Sequence, residues 1–119
     1  MGHLTRLIEP VILFLLARNG PSYGYELAAE LATYALTETG VDRTALYRCL
    51  RQLESSGHLT SHWDLPAAGP ARRVYTVTPR GHQHLEEWMN VLEHLSVSLD
   101  RLVREARELS AVPREACAR

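Results

Sequence analysis

The sequence predicts a mainly α-helical fold of the α+β class, in which three helices and a β-hairpin precede one long carboxy-terminal helix. Three observations support this prediction. Apolar residues recur at helical spacing in three segments before residue 58, two short segments of alternating polarity flank a loop at 65–70, and an apolar heptad repeat begins at residue 85. A chain of 119 residues is expected to form one domain with an appended helix.

The first two helices are expected to pair in the core. The first should run from about Pro10 to Asn19, because proline is tolerated in a first helical turn and the Gly-Pro pair that follows stops a helix. Its central residues are apolar on nearly every side, as in a core helix. The second should start after Ser22 as N-cap and end near Leu36. Its buried stripe is expected to contain Leu27, Leu31 and Tyr34, and Tyr23, Gly24 and Tyr25 are expected to pack it against the first helix.

After a loop at 37–41, a third helix is expected to start at Asp42 as N-cap and to end near Gly57. Its periodicity separates an inward apolar stripe from an outward polar face. The inward residues are Leu46, Cys49, Leu50 and Leu53. The outward residues are Arg43, Thr44, Tyr47, Arg48 and Arg51.

Two strands are expected at 58–64 and 72–78, and the second begins with Arg72 and Arg73. Three helices followed by a hairpin make a winged helix-turn-helix, in which the hairpin is the wing. An arginine-bearing helix face beside a basic hairpin is suited to entering a DNA groove and contacting the flanking phosphates. The predicted DNA-binding residues are Arg43, Thr44, Tyr47, Arg48, Arg51, Arg72 and Arg73.

The charge distribution agrees with this prediction better than the total charge does. The net charge is −1, but the segment 42–80 holds six arginines against three acidic residues and so carries +3. The segments 1–41 and 81–119 each carry −2.

Other classes of protein fit the sequence poorly. Apolar runs are far shorter than the ~20 residues that span a bilayer. Cys49 and Cys117 lack the paired spacing of a disulfide framework, which favours a reducing cytoplasm. The histidines at 58, 62, 82 and 84 lack partners at ligand spacing, so neither a metal nor another cofactor is expected.

The long helix is expected to hold two copies of the chain together, because an isolated surface helix has no need of a heptad repeat. The predicted organisation is a DNA-binding domain at 1–80, a dimerisation helix at 81–112 and a flexible tail at 113–119. The predicted interface residues are Leu85, Trp88, Leu92, Leu95, Leu99, Leu102, Ala106 and Leu109.

Several short motifs, in this order, resemble the PadR family of bacterial transcriptional repressors over about residues 8–110. They are Ser22-Tyr23-Gly24-Tyr25-Glu26-Leu27, Leu46-Tyr47 with Leu50, Leu53, Glu54 and Gly57, Arg72-Arg73-Val74-Tyr75, and Thr78-Pro79-Arg80-Gly81. The resemblance implies a homodimer held by the last and first helices, with Tyr47 at a position that contacts DNA. The single terminal helix looks like the short-tailed branch of the family.

Function is therefore expected to be sequence-specific repression by a homodimer on a palindromic operator in double-stranded DNA, relieved by a small effector. Some family members stack planar aromatic ligands on a tryptophan of the last helix, which implies an effector site at Trp88, Met89 and Leu92. The sequence itself favours the other interpretation, in which Trp88 is an ordinary heptad residue of the core. The alternative function is a winged helix that docks a protein instead of DNA. An enzyme is not expected, because the sequence pairs no nucleophile with a base.

Overall fold

The computed structural model describes residues 7–34 and 42–111. It confirms a mainly helical chain with a small antiparallel sheet, arranged as a winged helix and a long last helix. The helices are α1 (Ile8–Asn19), α2 (Gly24–Leu31), α3 (Arg43–Ser55) and α4 (Pro79–Ala111), and a 3₁₀ turn (Ala32–Tyr34) follows α2. The strands are β1 (Ser22–Tyr23), β2 (Leu59–Asp64) and β3 (Arg72–Val77).

The core lies where α1, α2 and α3 meet the sheet. Each helix contributes an aliphatic stripe, and α1 is buried on most sides, as its composition predicts. Burying a leucine side chain stabilises the fold by about 1.5–3 kcal/mol, so this cluster is the main support of the three helices. The most buried side chains are Ile12, Leu13, Leu15 and Leu16 of α1, Leu27 and Leu31 of α2, Leu46 and Leu50 of α3, and Leu59 of β2.

The sheet has a third strand, β1, which the sequence did not predict. The strand order is β1-β3-β2, so β3 is central and both of its neighbours are antiparallel to it. Ser22 of β1 pairs with Tyr75, and Tyr23 pairs with Val74. This pairing ties the start of α2 directly to the wing.

The predicted boundaries of α2 were wrong at its start. Ser22 is not the N-cap, because its hydroxyl donates to the carbonyl of Gly20 at 2.9 Å. Tyr23 occupies the N-cap position instead, and Glu26 accepts a hydrogen bond from the Tyr23 backbone N–H at 2.9 Å, as in a capping box. Tyr34 is 39% exposed in the 3₁₀ turn and does not extend the buried stripe. The α-helical part ends at Leu31 and gives way to the 3₁₀ turn, and the expected end near residue 36 and the loop at 37–41 lie outside the described residues.

The start of α3 was predicted correctly. Asp42 has extended backbone angles and its carboxylate accepts the backbone N–H of Thr44 at 3.1 Å. An N-cap of this kind satisfies a backbone donor that would otherwise lack an intrahelical partner. The helix ends at Ser55, and Gly57 turns the chain into β2 with a φ of +83°. That left-handed conformation explains the glycine.

The helix α4 begins at Pro79, two residues before the predicted start. Thr78 fixes this point, because its hydroxyl donates to the carbonyl of Gly57 at 2.7 Å and accepts the N–H of Gly81 at 3.0 Å. The chain divides into two compact units, Met1–Glu86 and Glu87–Arg119. The predicted tail at 113–119 lies outside the described residues. Across residues 7–34 and 42–111, every helix is too short or too polar to cross a bilayer.

Candidate nucleic-acid interface

The five polar residues predicted to face outward from α3 are all exposed. Their separation from the core follows from the strong amphipathicity of this helix, whose opposite side buries Leu46, Leu50 and Leu53. Cys49 also lies on the inward side. Burial, with the nearby charge of Glu9 as a smaller cause, raises the pKa of its thiol to about 12, so Cys49 is a neutral packing residue.

Tyr47 is positioned by Gly24 at the start of α2. A Cβ atom added at Gly24 would lie 2.8 Å from Cε1 and 2.9 Å from the hydroxyl of Tyr47. The Tyr47 ring therefore packs against the Gly24 backbone, where a side chain would collide with it, while 39% of Tyr47 stays exposed. The expected close approach at Gly24 is thus present, but its partner is Tyr47 of α3 and not α1.

Arg72 lies against two tyrosines from the start of α2. Its guanidinium is 5.4 Å from the ring centre of Tyr23 and 5.5 Å from that of Tyr25, and it donates to the Tyr25 hydroxyl at 3.2 Å. The two rings stack at 5.7 Å with an interplanar angle of 7°. The expectation that these tyrosines pack α2 against α1 was therefore wrong, because β1 turns them towards the wing.

The same cluster is anchored at the end of β2. The Tyr23 hydroxyl donates to a carboxylate oxygen of Asp64 at 2.5 Å. This hydrogen bond to Asp64 is the main reason that the pKa of Tyr23 is raised. Asp64 faces Arg72 in the strand register, so the phenol, the carboxylate and the guanidinium together fix the position of the wing beside α2.

Arg73 points to the opposite face of the wing. Its Nε donates to the Ser61 hydroxyl at 2.8 Å, its guanidinium lies 5.5 Å from the ring centre of Trp63, and it forms an ion pair with Glu54 of α3 at 3.5 Å. Adjacent strand residues alternate between faces, which separates the two arginines. Ser61, Trp63 and Glu54 are not among the site residues predicted from the sequence. The pairing of Trp63 with Arg73 in the hairpin was the signal that could have identified Trp63.

Tyr75 of β3 lies close to the polar side of α3. Burial is the largest cause of the raised pKa of its phenol, and the charges of Arg73, Glu54 and Arg51 and the phenol of Tyr47 also act on it. The ion pair between Arg73 and Glu54 also places the wing next to α3.

Two of the histidines, His58 and His84, pack together at the base of the wing. The rings of His58 and His84 stack at 4.2 Å, and His84 forms a hydrogen bond with the Glu9 carboxylate of α1. Within residues 7–34 and 42–111, no three His, Cys, Asp or Glu side chains are arranged so that they could hold a metal ion.

The predicted interface residues of α4 present an apolar series along one helix. Leu95, Leu99, Leu102 and Leu109 are 40–66% exposed, and Ala106 is also exposed. Leu85, Trp88 and Leu92 are half-buried. Met89 of the proposed effector site is exposed beside Trp88.

Comparison with known proteins agrees with this architecture. The transcriptional regulator PadR-like family matches residues 12–87, more than half of the chain. A PadR family transcriptional regulator from Eggerthella lenta is 28% identical, with a TM-score of 0.67 over 85% of this chain and 86% of the other. A transcriptional regulator from Clostridium thermocellum is 26% identical, with a TM-score of 0.70 over 81% and 89%.

A third solved structure, a conserved protein of unknown function described as a potential transcriptional factor, is 33% identical, with a TM-score of 0.72 over 87% of this chain and 90% of the other. A search of curated proteins found no match. The matched family consists of transcriptional regulators and not enzymes, and it does not favour the protein-docking alternative. The chain therefore belongs to the PadR-like family of transcriptional regulators, whose winged helix is a DNA-binding fold.

Proposed function

We propose that this chain is a sequence-specific repressor that acts as a homodimer on a palindromic operator and is released by a small effector. The observation that carries the proposal is the shared surface of α3 and the wing. Five polar residues of α3 are exposed there, next to a hairpin with two adjacent arginines. Such a surface offers a helix for the major groove and cations for the phosphates beside it.

The residues of α3 divide by chemistry into two roles. Arg43 and Arg48 can form bidentate hydrogen bonds with guanine, and Thr44 and Tyr47 can contact base edges or phosphate. Arg51 lies nearer the helix end and suits phosphate contact. Arg72 and Arg73 would contact phosphate or the minor groove from the wing.

A dimer is proposed from the apolar series on α4. Leucines at heptad spacing that are 40–66% exposed need a partner surface, and a second copy of the same helix supplies one. The two-fold axis of such a dimer matches a palindrome whose half-sites are about one helical turn (~10 bp) or a multiple apart. The domain organisation proposed for such a dimer is a DNA-binding domain at 1–80, a dimerisation helix at 81–112 and a tail at 113–119, as in the short-tailed branch of the family.

The effector is proposed to be a planar aromatic or apolar molecule at Trp88, Met89 and Leu92. An indole offers a large flat surface for stacking, and the half-buried Trp88 lies beside the exposed and flexible thioether of Met89. Binding near a dimer interface would change the separation of the two α3 helices and weaken the complex with DNA. This site is tested by titrating the wild-type protein and the Trp88→Phe variant with phenolic acids or planar dyes. The quantities measured are tryptophan fluorescence and the affinity for DNA.

The DNA-binding proposal is tested by a mobility-shift assay on the DNA upstream of the chain's own gene, with unlabelled competitor. We expect a specific shift that Arg43→Ala with Arg48→Ala abolishes. The matched control is Arg101→Ala with Arg104→Ala, which removes the same charge from exposed positions on α4. An equal loss of the specific shift in both variants would show that only net charge matters, and it would contradict a role for α3 in recognising the DNA sequence.

The dimer is tested by sedimentation at micromolar concentration. A homodimer has twice the 13.4 kDa mass of the chain, and Leu99→Glu should return it to the monomer because a charge replaces a contact in the apolar series. Wild-type protein that sediments as a 13.4 kDa species would refute the dimer.

A further inference from the structure

Glu54 links α3 to both strands of the wing. One carboxylate oxygen accepts a hydrogen bond from the Ser61 hydroxyl of β2 at 2.6 Å, and the other lies 3.5 Å from a guanidinium nitrogen of Arg73 in β3. The Ser61 oxygen in turn accepts from the Nε of Arg73 at 2.8 Å. The three side chains form a closed triangle that includes a predicted DNA-binding arginine.

The ion pair in this triangle is partly screened from water. The side chain of Glu54 is 29% exposed and that of Arg73 is 45% exposed, and the indole of Trp63 lies against the guanidinium. The positive charge of Arg73 is therefore compensated by a carboxylate before any DNA is present. Arg72 differs, since its guanidinium lies beside the stacked rings of Tyr23 and Tyr25 and donates to the Tyr25 hydroxyl.

We infer that Glu54 limits the affinity for DNA by acting as an internal counter-charge that a DNA phosphate must replace at Arg73. A phosphate and a carboxylate use the same N–H donors of a guanidinium, so the two compete for one group. This inference rests on the proposed DNA-binding function and adds a residue that sets its strength.

The test uses Glu54→Gln in the full-length chain, with affinity for a bound duplex measured by fluorescence anisotropy. Glutamine retains an oxygen that accepts from Ser61, so the wing keeps its support while the charge is removed. An exposed ion pair has a modest strength, and its loss should tighten DNA binding about two- to fivefold. Unchanged or weaker binding would overturn the inference.

A double-mutant cycle separates this mechanism from general charge repulsion. In an Arg73→Ala background, Glu54→Gln should no longer tighten binding, because the competing guanidinium is absent. Tightening that persists in this background would show that Glu54 acts without Arg73 and would refute the inference. Glu30→Gln is the matched control. It removes the same charge from α2, where Glu30 forms an ion pair with Arg18 at 3.6 Å, and should leave the affinity unchanged.

Glu54→Ala tests whether Glu54 merely positions the wing. Alanine removes both the charge and the hydrogen bond to Ser61, so a purely positioning residue would give weaker binding with alanine and no tightening with glutamine. That pattern would overturn the inference. Wild-type chain that binds no duplex would refute the proposed function as well, whereas normal binding with no gain in Glu54→Gln would refute the role of Glu54 alone.

Discussion

Replacing Arg72 with alanine should flatten the salt dependence of DNA binding and should lower the stability of the fold only slightly. Each phosphate that a protein neutralises contributes a slope of about −0.9 to the dependence of log K on log salt. One such contact in each of two wings contributes about −1.8 in a dimer. Between 50 and 200 mM salt this part of the slope corresponds to about a tenfold change in affinity.

The structure supplies a matched control for this substitution. Arg18 of α1 also lies over two aromatic rings, at 5.0 Å from Phe14 and 5.7 Å from Tyr34, and also donates to a tyrosine hydroxyl. Its replacement by alanine removes the same charge and the same kind of cation–π contacts. Each such contact at an exposed site is worth about 0.5–1 kcal/mol, so both variants should lose similar stability.

The assay is fluorescence anisotropy with a labelled duplex at several salt concentrations, together with thermal unfolding followed by circular dichroism. We expect a flatter slope for Arg72→Ala, an unchanged slope for Arg18→Ala, and comparable melting temperatures. Adding Arg73→Ala should flatten the slope further and weaken binding to all sequences alike. An unchanged slope in the double variant would exclude the wing from the DNA interface.

Three further predictions concern the support of the site. Gly81→Ala should destabilise the fold by about 1–3 kcal/mol, because the added methyl would collide with the backbone carbonyl of His58; an unchanged melting temperature would contradict this. Asp42→Ala should cost about 0.5–2 kcal/mol through loss of the α3 cap, whereas Asp42→Asn should retain most of the stability. In a Cys117→Ser background, Cys49 should be alkylated far more slowly in the folded than in the unfolded chain at pH 8. The folded state raises the pKa of this thiol to about 12, so the stability that depends on a neutral Cys49 is complete below about pH 9 and is lost as the pH rises towards 12. Rapid alkylation of the folded protein would contradict this prediction.

Much of the fold could be predicted because its signals are local. The Asp42 cap and the apolar stripe of α3 are set by neighbours within a few residues, and the heptad repeat extends that regularity along α4. The start of α2 could not be predicted in this way. Serine is a good N-cap residue by propensity, but Ser22 is held in a strand by Tyr75, which lies more than fifty residues further along the chain.

The site shows the same division between local and distant causes. The sequence alone determined which residues of α3 face outward and that two arginines begin the second strand of the wing, because both follow from the period of a helix or a strand. Only the tertiary structure decided what those arginines touch. Tyr23, Tyr25 and Glu54 reach the wing through strand pairing and packing across many intervening residues, and no local pattern encodes such contacts.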